Sequence, residues 1–275
     1  MEKAGIPRAD KWAVVTGASG GIGREIARQL GRRGYHLVVV ARTADRLEAL
    51  RAELASGNRD VRAVALDLAD PDAATELVAL TDRWGIVPEV LVNNAGFAAW
   101  GPFLESPPDV VAGMLQLNVG TLVQLSQLYG RRMRERGGGY LLHVASTAAF
   151  QPVPSFAVYA ATKGLVMQFS RALHAEGRRS GVSSTVLCPG PTDTAFFARA
   201  QLVPNRFFRA LMMSPEEVAR QGLAALFRRR AVHVPGWLNK LGAFVPRVVP
   251  SGWMPRLAYL CCKGDPVPAP RVAKK

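Results

Sequence analysis

The stretch TGASGGIG, residues 16–23, follows directly on the apolar run WAVV and leads into the helical pattern REIARQLGRRG. Gly17, Gly21 and Gly23 stand where a backbone turns sharply, approaches a phosphate and packs a helix against a strand. The N-terminus of the following helix favours an anion. The spacing, G-x-x-x-G-x-G, is neither the usual G-x-G-x-x-G nor that of a P-loop, since no Lys-Ser/Thr pair follows. It predicts a dinucleotide site, with a structural glycine turn as the alternative.

Short apolar runs recur along the chain, and a helical pattern follows each of them. This alternation is typical of βαβ units, in which helices cover both faces of a parallel sheet. The sequence therefore predicts the α/β class, as a doubly wound parallel sheet of the Rossmann type. The predicted strands are WAVVT at 12–16, HLVVVA at 36–41, VRAVAL at 61–66, EVLVN at 89–93, YLLHVA at 140–145, STVLC at 184–188 and a short strand at 231–234.

Two of the helices have clear boundaries in the sequence. Residues 107–136, between the fourth and fifth strands, are long enough for one extended helix. A later helix begins after Ser214, a natural N-cap, with Pro215 in its first turn and Glu217 completing a capping box.

The C-terminal part of the chain differs in charge from the rest. The formal net charge of the 275 residues is +14, and the residues from Arg228 onward contribute +9 of it. Such a charge favours anionic partners but does not determine the fold. We predict one dinucleotide-binding catalytic domain over residues 1–235 and a basic, apolar C-terminal extension over residues 236–275.

The cysteines and the N-terminus bear on the compartment. Three cysteines without paired spacing indicate neither a disulfide framework nor a zinc site. The N-terminal residues lack the apolar run of a signal peptide, and no run of about 18 apolar residues is free of charge and proline. We expect a cytoplasmic protein without a spanning helix.

The end of the second predicted strand bears on the choice of nucleotide. An acid about 20 residues past the glycines binds the ribose 2′-hydroxyl of NAD, whereas an arginine accommodates the 2′-phosphate of NADP. Ala41 fills the expected acidic position, and Arg42 follows it. The alternative is a merely solvated arginine, but the missing acid favours NADP.

A second motif is VYAATKG, residues 158–164, in which Tyr159 precedes Lys163 by four residues. This spacing places both side chains on one helix face. One interpretation is an amphipathic helix with a half-buried phenol and a snorkelling lysine. The other is a proton donor whose pKa a nearby cation lowers. The glycine turn, together with a serine at position 146, favours the second.

With these residues in place, the sequence resembles the short-chain dehydrogenase/reductase family over about residues 10–235. Each matching motif is weak alone, but all of them occur in the family's order. They are the TGxxxGxG turn, Asp67, NNAG at 93–96, Asn118, Ser146, Tyr159 with Lys163, and Pro189-Gly190.

The resemblance implies four catalytic residues. Ser146 would orient a substrate carbonyl, and Tyr159 would act as general acid or base. Lys163 would hold the nicotinamide ribose and lower the pKa of the tyrosine, while Asn118 would complete a proton relay. The cofactor would be NADP(H), without a metal ion. The implied cofactor-binding residues are Gly17, Ser19, Gly21, Ile22, Gly23, Arg42, Asp67, Asn94, Tyr159, Lys163, Thr192 and Thr194.

The main hypothesis is therefore an NADP-dependent reductase or alcohol dehydrogenase. One alternative is a catalytically silent NADP-binding member of the same family. Nucleic-acid binding is a third, but no motif for it is present, so we expect no nucleic-acid partner. The four histidines lack metal-ligand spacing, and His143 in an apolar strand is typical of a satisfied core residue. Ser146 lacks the G-x-S-x-G elbow of a hydrolase.

Two segments bear on the substrate and the partners. Residues 195–213 are rich in phenylalanine and correspond to the family's substrate flap, or else form a helical pair packed on the body. They favour an apolar, lipid-like carbonyl substrate. Residues 235–264 mix tryptophan and leucine with cations, so we expect either a peripheral membrane contact or packing on the cleft or a subunit. The resemblance also implies a homo-oligomer.

Overall fold

The computed structural model describes residues 11–55, 59–262 and 265–266. Within them, seven parallel strands form one sheet in the order β3-β2-β1-β4-β5-β6-β8, and β7 pairs with β9 separately. The predicted α/β class and doubly wound sheet are confirmed. The strands are β1 Trp12–Thr16, β2 His36–Ala41, β3 Val61–Ala65, β4 Val90–Asn93, β5 Gly139–Val144, β6 Val182–Leu187, β7 Leu202–Val203, β8 Val232–His233 and β9 Asp265–Pro266.

The helices cover both faces of the sheet. On one face, α1, α2 and α9 pack against β1, β2 and β4, while α3 and α5 pack on the opposite face. Every residue of β1 is buried, which agrees with its uninterrupted apolar sequence. The helices are α1 Gly21–Arg32, α2 Ala44–Leu54, α3 Ala73–Arg83, α4 Pro108–Leu115, α5 Thr121–Glu135, α6 Ala157–Gly177, α7 Phe196–Arg199, α8 Arg206–Leu211, α9 Pro215–Phe227, α10 Trp237–Phe244 and α11 Met254–Cys262.

Strand β6 begins earlier than the sequence predicted. Val182 pairs with Gly139 and Ser183 with Tyr140 of β5, so the strand runs from Val182 instead of from residue 184. The apolar run missed these positions because a buried serine occupies one of them.

The predicted extended helix is interrupted by a π turn. Helices α4 and α5 are joined by Gln116–Gly120, which adopts π-helical geometry. Asn118 lies in this turn, and its amide binds both main-chain groups of Phe97. The hydrogen bonds to Phe97 fix the side chain at the widened turn.

The predicted cap of α9 forms in part. The Ser214 hydroxyl accepts a hydrogen bond from the Glu217 amide at 3.2 Å. The Glu217 carboxylate accepts from Arg220 and from Gln221 instead of reaching back to Ser214, as a full capping box requires.

After β8 the chain forms two short helices that pack on the flap side of the molecule. Helix α10 contacts the turn Thr147–Phe150, and α11 contacts α8. Strand β9 pairs antiparallel with β7 inside the flap. Residues 263–264 and 267–275 of the predicted extension lie outside the described residues. In the part that the structure describes, every helix is too short or too polar to cross a bilayer.

Candidate active site

A cleft of about 340 Å³ opens at the carboxyl ends of the strands. The strand order reverses there, between β1 and β4, which is where open α/β sheets bind ligands. Two of the predicted site residues, Gly23 and Asn118, do not line the cleft. The predicted site residues that line the cleft are Gly17, Ser19, Gly21, Ile22, Arg42, Asp67, Asn94, Ser146, Tyr159, Lys163, Thr192 and Thr194.

The glycine turn depends on the absence of side chains. Gly17 and Gly21 have φ angles of +66° and +55°, in the left-handed region that favours glycine. A Cβ at Gly23 would lie 2.4 Å from the carbonyl oxygen of Gly17 and 2.4 Å from Nδ2 of Asn94. The turn therefore keeps α1 close to β1, with the N-terminus of the helix at the cleft.

Asn94 and Thr16 hold this turn against the end of β4. Nδ2 of Asn94 donates to the carbonyl oxygens of Thr16 at 3.0 Å and Gly17 at 3.2 Å. The Thr16 hydroxyl accepts from the amides of Asn94 and Ala95 and donates to the Val92 carbonyl. Asn94 therefore fixes the backbone of the turn in addition to lining the cleft.

Two arginines lie at the outer end of the cleft. Nη1 of Arg42 is 3.8 Å from Oδ2 of Asp67, and both side chains are largely exposed. Arg46, which the sequence analysis missed, lines the same end. It lies in the first turn of α2, just after the loop that begins at Arg42.

Ser146, Tyr159 and Lys163 meet at the inner end of the cleft. The Ser146 hydroxyl caps the turn Thr147–Phe150 by accepting from the Ala148 amide at 3.1 Å, and Ser146 lines the cleft together with Tyr159. Lys163 Nζ donates to the Val144 carbonyl at 2.8 Å. The same nitrogen lies 5.7 Å from the centroid of the Tyr159 ring.

Burial dominates the electrostatics of this group. It raises the pKa of the Tyr159 phenol to about 12, although the Ser146 side chain lowers it in part. It also lowers the pKa of the Lys163 ammonium to about 8. The direction for Tyr159 is opposite to the one expected from a neighbouring cation, because burial disfavours the charged phenolate.

Asn118 is fully buried behind these residues. Its Oδ1 accepts from the Phe97 amide at 3.0 Å, and its Nδ2 donates to the Phe97 carbonyl at 3.0 Å and to Thr162 Oγ1 at 3.2 Å. A Cβ at Gly96 would lie 2.8 Å from Asn118 Oδ1 and 3.5 Å from Lys163 Nζ. Gly96 thus leaves the space between the asparagine and the lysine.

Aromatic rings form the other wall of the inner cleft. Tyr159 lies between Phe156 and Phe196, each with a ring centroid 5.5 Å from its own. Phe197 and Phe208 of the flap, together with Phe97, also line the cleft. The flap therefore packs on the body and lines the cleft at once, and the sequence analysis missed Phe97 and Phe156.

His143 is buried but only half satisfied. Its Nδ1 lies 3.2 Å from Nδ2 of Asn93, whereas Nε2 has no hydrogen-bond partner among the described residues. Burial lowers the pKa of this imidazole to about 3. The prediction of a satisfied core histidine is thus correct for one nitrogen. The described part of the chain holds no cluster of three side chains suited to a metal ion.

Comparison with known proteins identifies the family. The model of the family described as short chain dehydrogenase matches residues 11–202. The chain belongs to the short-chain dehydrogenase family. The resemblance predicted from the glycine turn and the tyrosine–lysine pair is confirmed, and the family is one of oxidoreductases.

Curated relatives of this short-chain dehydrogenase include longer proteins. "Probable oxidoreductase EphD" of Mycobacterium tuberculosis is 34% identical over 200 residues, which cover 71% of this chain and 34% of that protein. The chain thus spans about a third of the first curated relatives it matches. "Very-long-chain 3-oxoacyl-CoA reductase-B" of Danio rerio is 34% identical over 249 residues, covering 89% of this chain and 74% of the relative.

Solved structures of the family resemble this one. A short-chain dehydrogenase from Sphingobium yanoikuyae, in complex with NADPH, is 28% identical, with a TM-score of 0.76. The match covers 87% of this chain and 96% of that chain.

Proposed function

We propose that this short-chain dehydrogenase is an NADPH-dependent reductase of apolar carbonyl compounds. The observation that carries the proposal is one cleft that joins a glycine turn with two arginines to the Ser146–Tyr159–Lys163 group, in which Tyr159 and Lys163 are buried. The Sphingobium relative in complex with NADPH supports the choice of cofactor. The zebrafish 3-oxoacyl-CoA reductase supports the choice of substrate class.

The outer half of the cleft suits a phosphorylated dinucleotide. The glycine turn would place the pyrophosphate at the N-terminus of α1, which the turn presents to the cleft. Arg42 and Arg46 would bind the 2′-phosphate, while Asp67 would lie by the adenine. Thr192 and Thr194 would contact the carboxamide. When bound, NADPH supplies the hydride for the reduction.

Tyr159 would donate the proton that the carbonyl oxygen needs. A pKa raised to about 12 keeps the phenol protonated at neutral pH, which suits a general acid in the direction of reduction. The Ser146 hydroxyl, which lines the same cleft and lowers the pKa of this phenol in part, would bind and orient the same oxygen. The reverse oxidation would need the phenolate, which burial disfavours.

Lys163 and Asn118 would support this proton transfer. With a pKa of about 8, Lys163 is mostly protonated at pH 7. Its ammonium, which now donates to the Val144 carbonyl, can also donate to ribose hydroxyls. Asn118, separated from it by Gly96, would hold the relay that returns a proton to Tyr159.

The aromatic wall favours an apolar substrate. Five phenylalanines line the cleft and pack in the apolar cluster around Tyr159. A pocket of this kind gains from burying apolar surface and gives few hydrogen bonds to a sugar. The substrates we propose are ketones with a long acyl chain or fused apolar rings, and the proposed assembly is a homo-oligomer.

A screen of NADPH consumption tests the proposal. Ketones and aldehydes graded by size and polarity would be compared, with NADH as the matched alternative cofactor. We expect the highest kcat/KM for bulky apolar ketones with NADPH. The silent NADP-binding alternative predicts NADPH binding by fluorescence titration with no consumption on any member of the series.

A further inference from the structure

The C-terminal segment has an unusually apolar surface. Of the thirteen exposed large apolar side chains in the described part of the chain, nine fall within residues 237–260, hereafter the C-terminal surface. Such a concentration marks an interaction site, whereas apolar residues exposed singly need no explanation. Trp237 and Trp253 are 73% and 70% exposed.

Helix α10 exposes its apolar residues along one stripe. Trp237, Leu241 and Phe244 follow one another at i, i+4 and i+7 and are all exposed. Asn239 and Ala243 face inward, and Nδ2 of Asn239 donates to the Pro235 carbonyl at 3.1 Å. The helix is thus anchored to the body by a small, partly polar face, and its larger apolar face remains outside.

Helix α11 repeats this pattern. Trp253, Leu257 and Leu260 have the same i, i+4 and i+7 spacing and are exposed, whereas Met254 and Ala258 are buried. In both short helices a stripe of large apolar side chains points outward, which core packing does not produce. Both suit helices that lie in an interface with their apolar faces immersed.

The charge of this surface identifies the partner. No Asp or Glu occurs between Val218 and Gly264, whereas Lys240, Arg247 and Arg256 are exposed among the apolar stripes. A second copy of the same face would bring like charges together. Helices of eight and nine residues cannot cross a bilayer. Tryptophan beside cations suits the headgroup region of an anionic leaflet.

We propose that the C-terminal surface docks this protein on anionic lipid membranes, with α10 and α11 lying in the headgroup region. The inference does not depend on the proposed reductase activity. It concerns binding alone, and its tests do not require a substrate.

Co-sedimentation of the full chain with vesicles tests the docking. Vesicles of phosphatidylcholine mixed with phosphatidylserine are compared with phosphatidylcholine alone, at low and high salt. Binding is expected only to the anionic vesicles and is expected to fall as salt shortens the screening length. Each cation near anionic lipid contributes about fivefold to the partition coefficient.

Matched variants distinguish binding through the C-terminal surface from attraction by the net positive charge of the whole protein. Lys240→Glu with Arg256→Glu should lower vesicle binding by more than about 25-fold, since two cations are lost and two anions gained. Arg178→Glu with Arg179→Glu makes the same change in net charge on exposed residues at the end of α6 and should retain binding. Trp237→Ser with Trp253→Ser should also release the protein, whereas Leu104→Ser with Leu165→Ser should not.

Tryptophan fluorescence gives a second readout. Lipids with brominated acyl chains should quench wild-type emission, and Trp237→Phe with Trp253→Phe should keep binding but lose most of the quenching. Three outcomes would overturn the inference: no binding to anionic vesicles at low salt, equal loss in the Arg178/Arg179 control, or a change in the mass of the lipid-free protein on reversing Lys240 and Arg256.

Discussion

The two halves of the sheet differ in what their strands bury. Between their end residues, β1 and β2 contain only alanine, valine and leucine. The strands β4 to β6 instead bury polar side chains, and four of these carry an atom without a hydrogen-bond partner in the described residues. Those atoms are Asn93 Oδ1, His143 Nε2, Ser183 Oγ and Thr185 Oγ1.

The two halves of the sheet adjoin different parts of the cleft. The glycine turn follows the apolar strand β1, and Asn94 bonds it to the end of β4. The polar strands end beside Ser146, Tyr159 and Lys163. A buried polar group without a partner costs about 1–3 kcal/mol. The polar strands therefore carry a stability cost that β1 and β2 do not.

The largest effect is expected at Tyr159. Tyr159→Phe removes the proton donor and should lower kcat by about 10²–10⁴-fold. Because Tyr159 lies beside the polar strands and not at the glycine turn, NADPH affinity should stay near that of the wild type. Tyr140→Phe, in β5 but against Phe227, is the control and should keep its rate. A Tyr159 variant within a few fold of wild-type turnover would exclude the general-acid role.

Arg42→Ala tests the nucleotide side. A charge-assisted hydrogen bond contributes about 1.5–3 kcal/mol, so NADP affinity should fall roughly ten- to 150-fold while NAD affinity changes little. Isothermal titration with both cofactors measures this, with Arg178→Ala as control. Equal loss for the two cofactors would show that Arg42 does not contact the 2′-phosphate.

His143→Leu tests the cost of the polar strands. The pKa of about 3 lies below the unfolded value of about 6.5, so the wild type loses stability as pH falls through this window. At pH 5 the loss is about 2 kcal/mol. The variant should lack this loss of stability. Urea unfolding at pH 7 and pH 5 measures the free energy of unfolding of both proteins. If both proteins weaken equally on acidification, His143 is not the group responsible.

The smallest effect is expected at the aromatic wall. Phe196→Leu removes a ring packed on Tyr159, and an aromatic pair contributes about 0.5–1.5 kcal/mol. KM for a bulky ketone should rise about two- to tenfold with NADPH affinity unchanged. Phe103→Leu, exposed and outside the cleft, is the control. An unchanged KM would place the substrate elsewhere.

Features carried by local sequence were predictable. The apolar runs predicted the seven strands of the main sheet apart from the start of β6, and the spacing of glycines and of Tyr159 with Lys163 predicted both ends of the cleft. Features that depend on distant contacts were not. The π turn rests on Asn118 binding Phe97, 21 residues away. The aromatic wall is assembled from separate segments, and the pKa of Tyr159 depends on a burial that no local pattern reveals.

The π turn at Gln116–Gly120 also sets the rotational phase of the helices on either side of it. Each residue of an α-helix advances the side-chain direction by about 100°, so the extra residue of a π turn shifts every later position by that angle. Met114, before the turn, packs with the aromatic residues around Tyr159, whereas Leu125, after it, packs under the sheet. Deleting one residue here would leave the helix intact but aim one of these two faces at solvent.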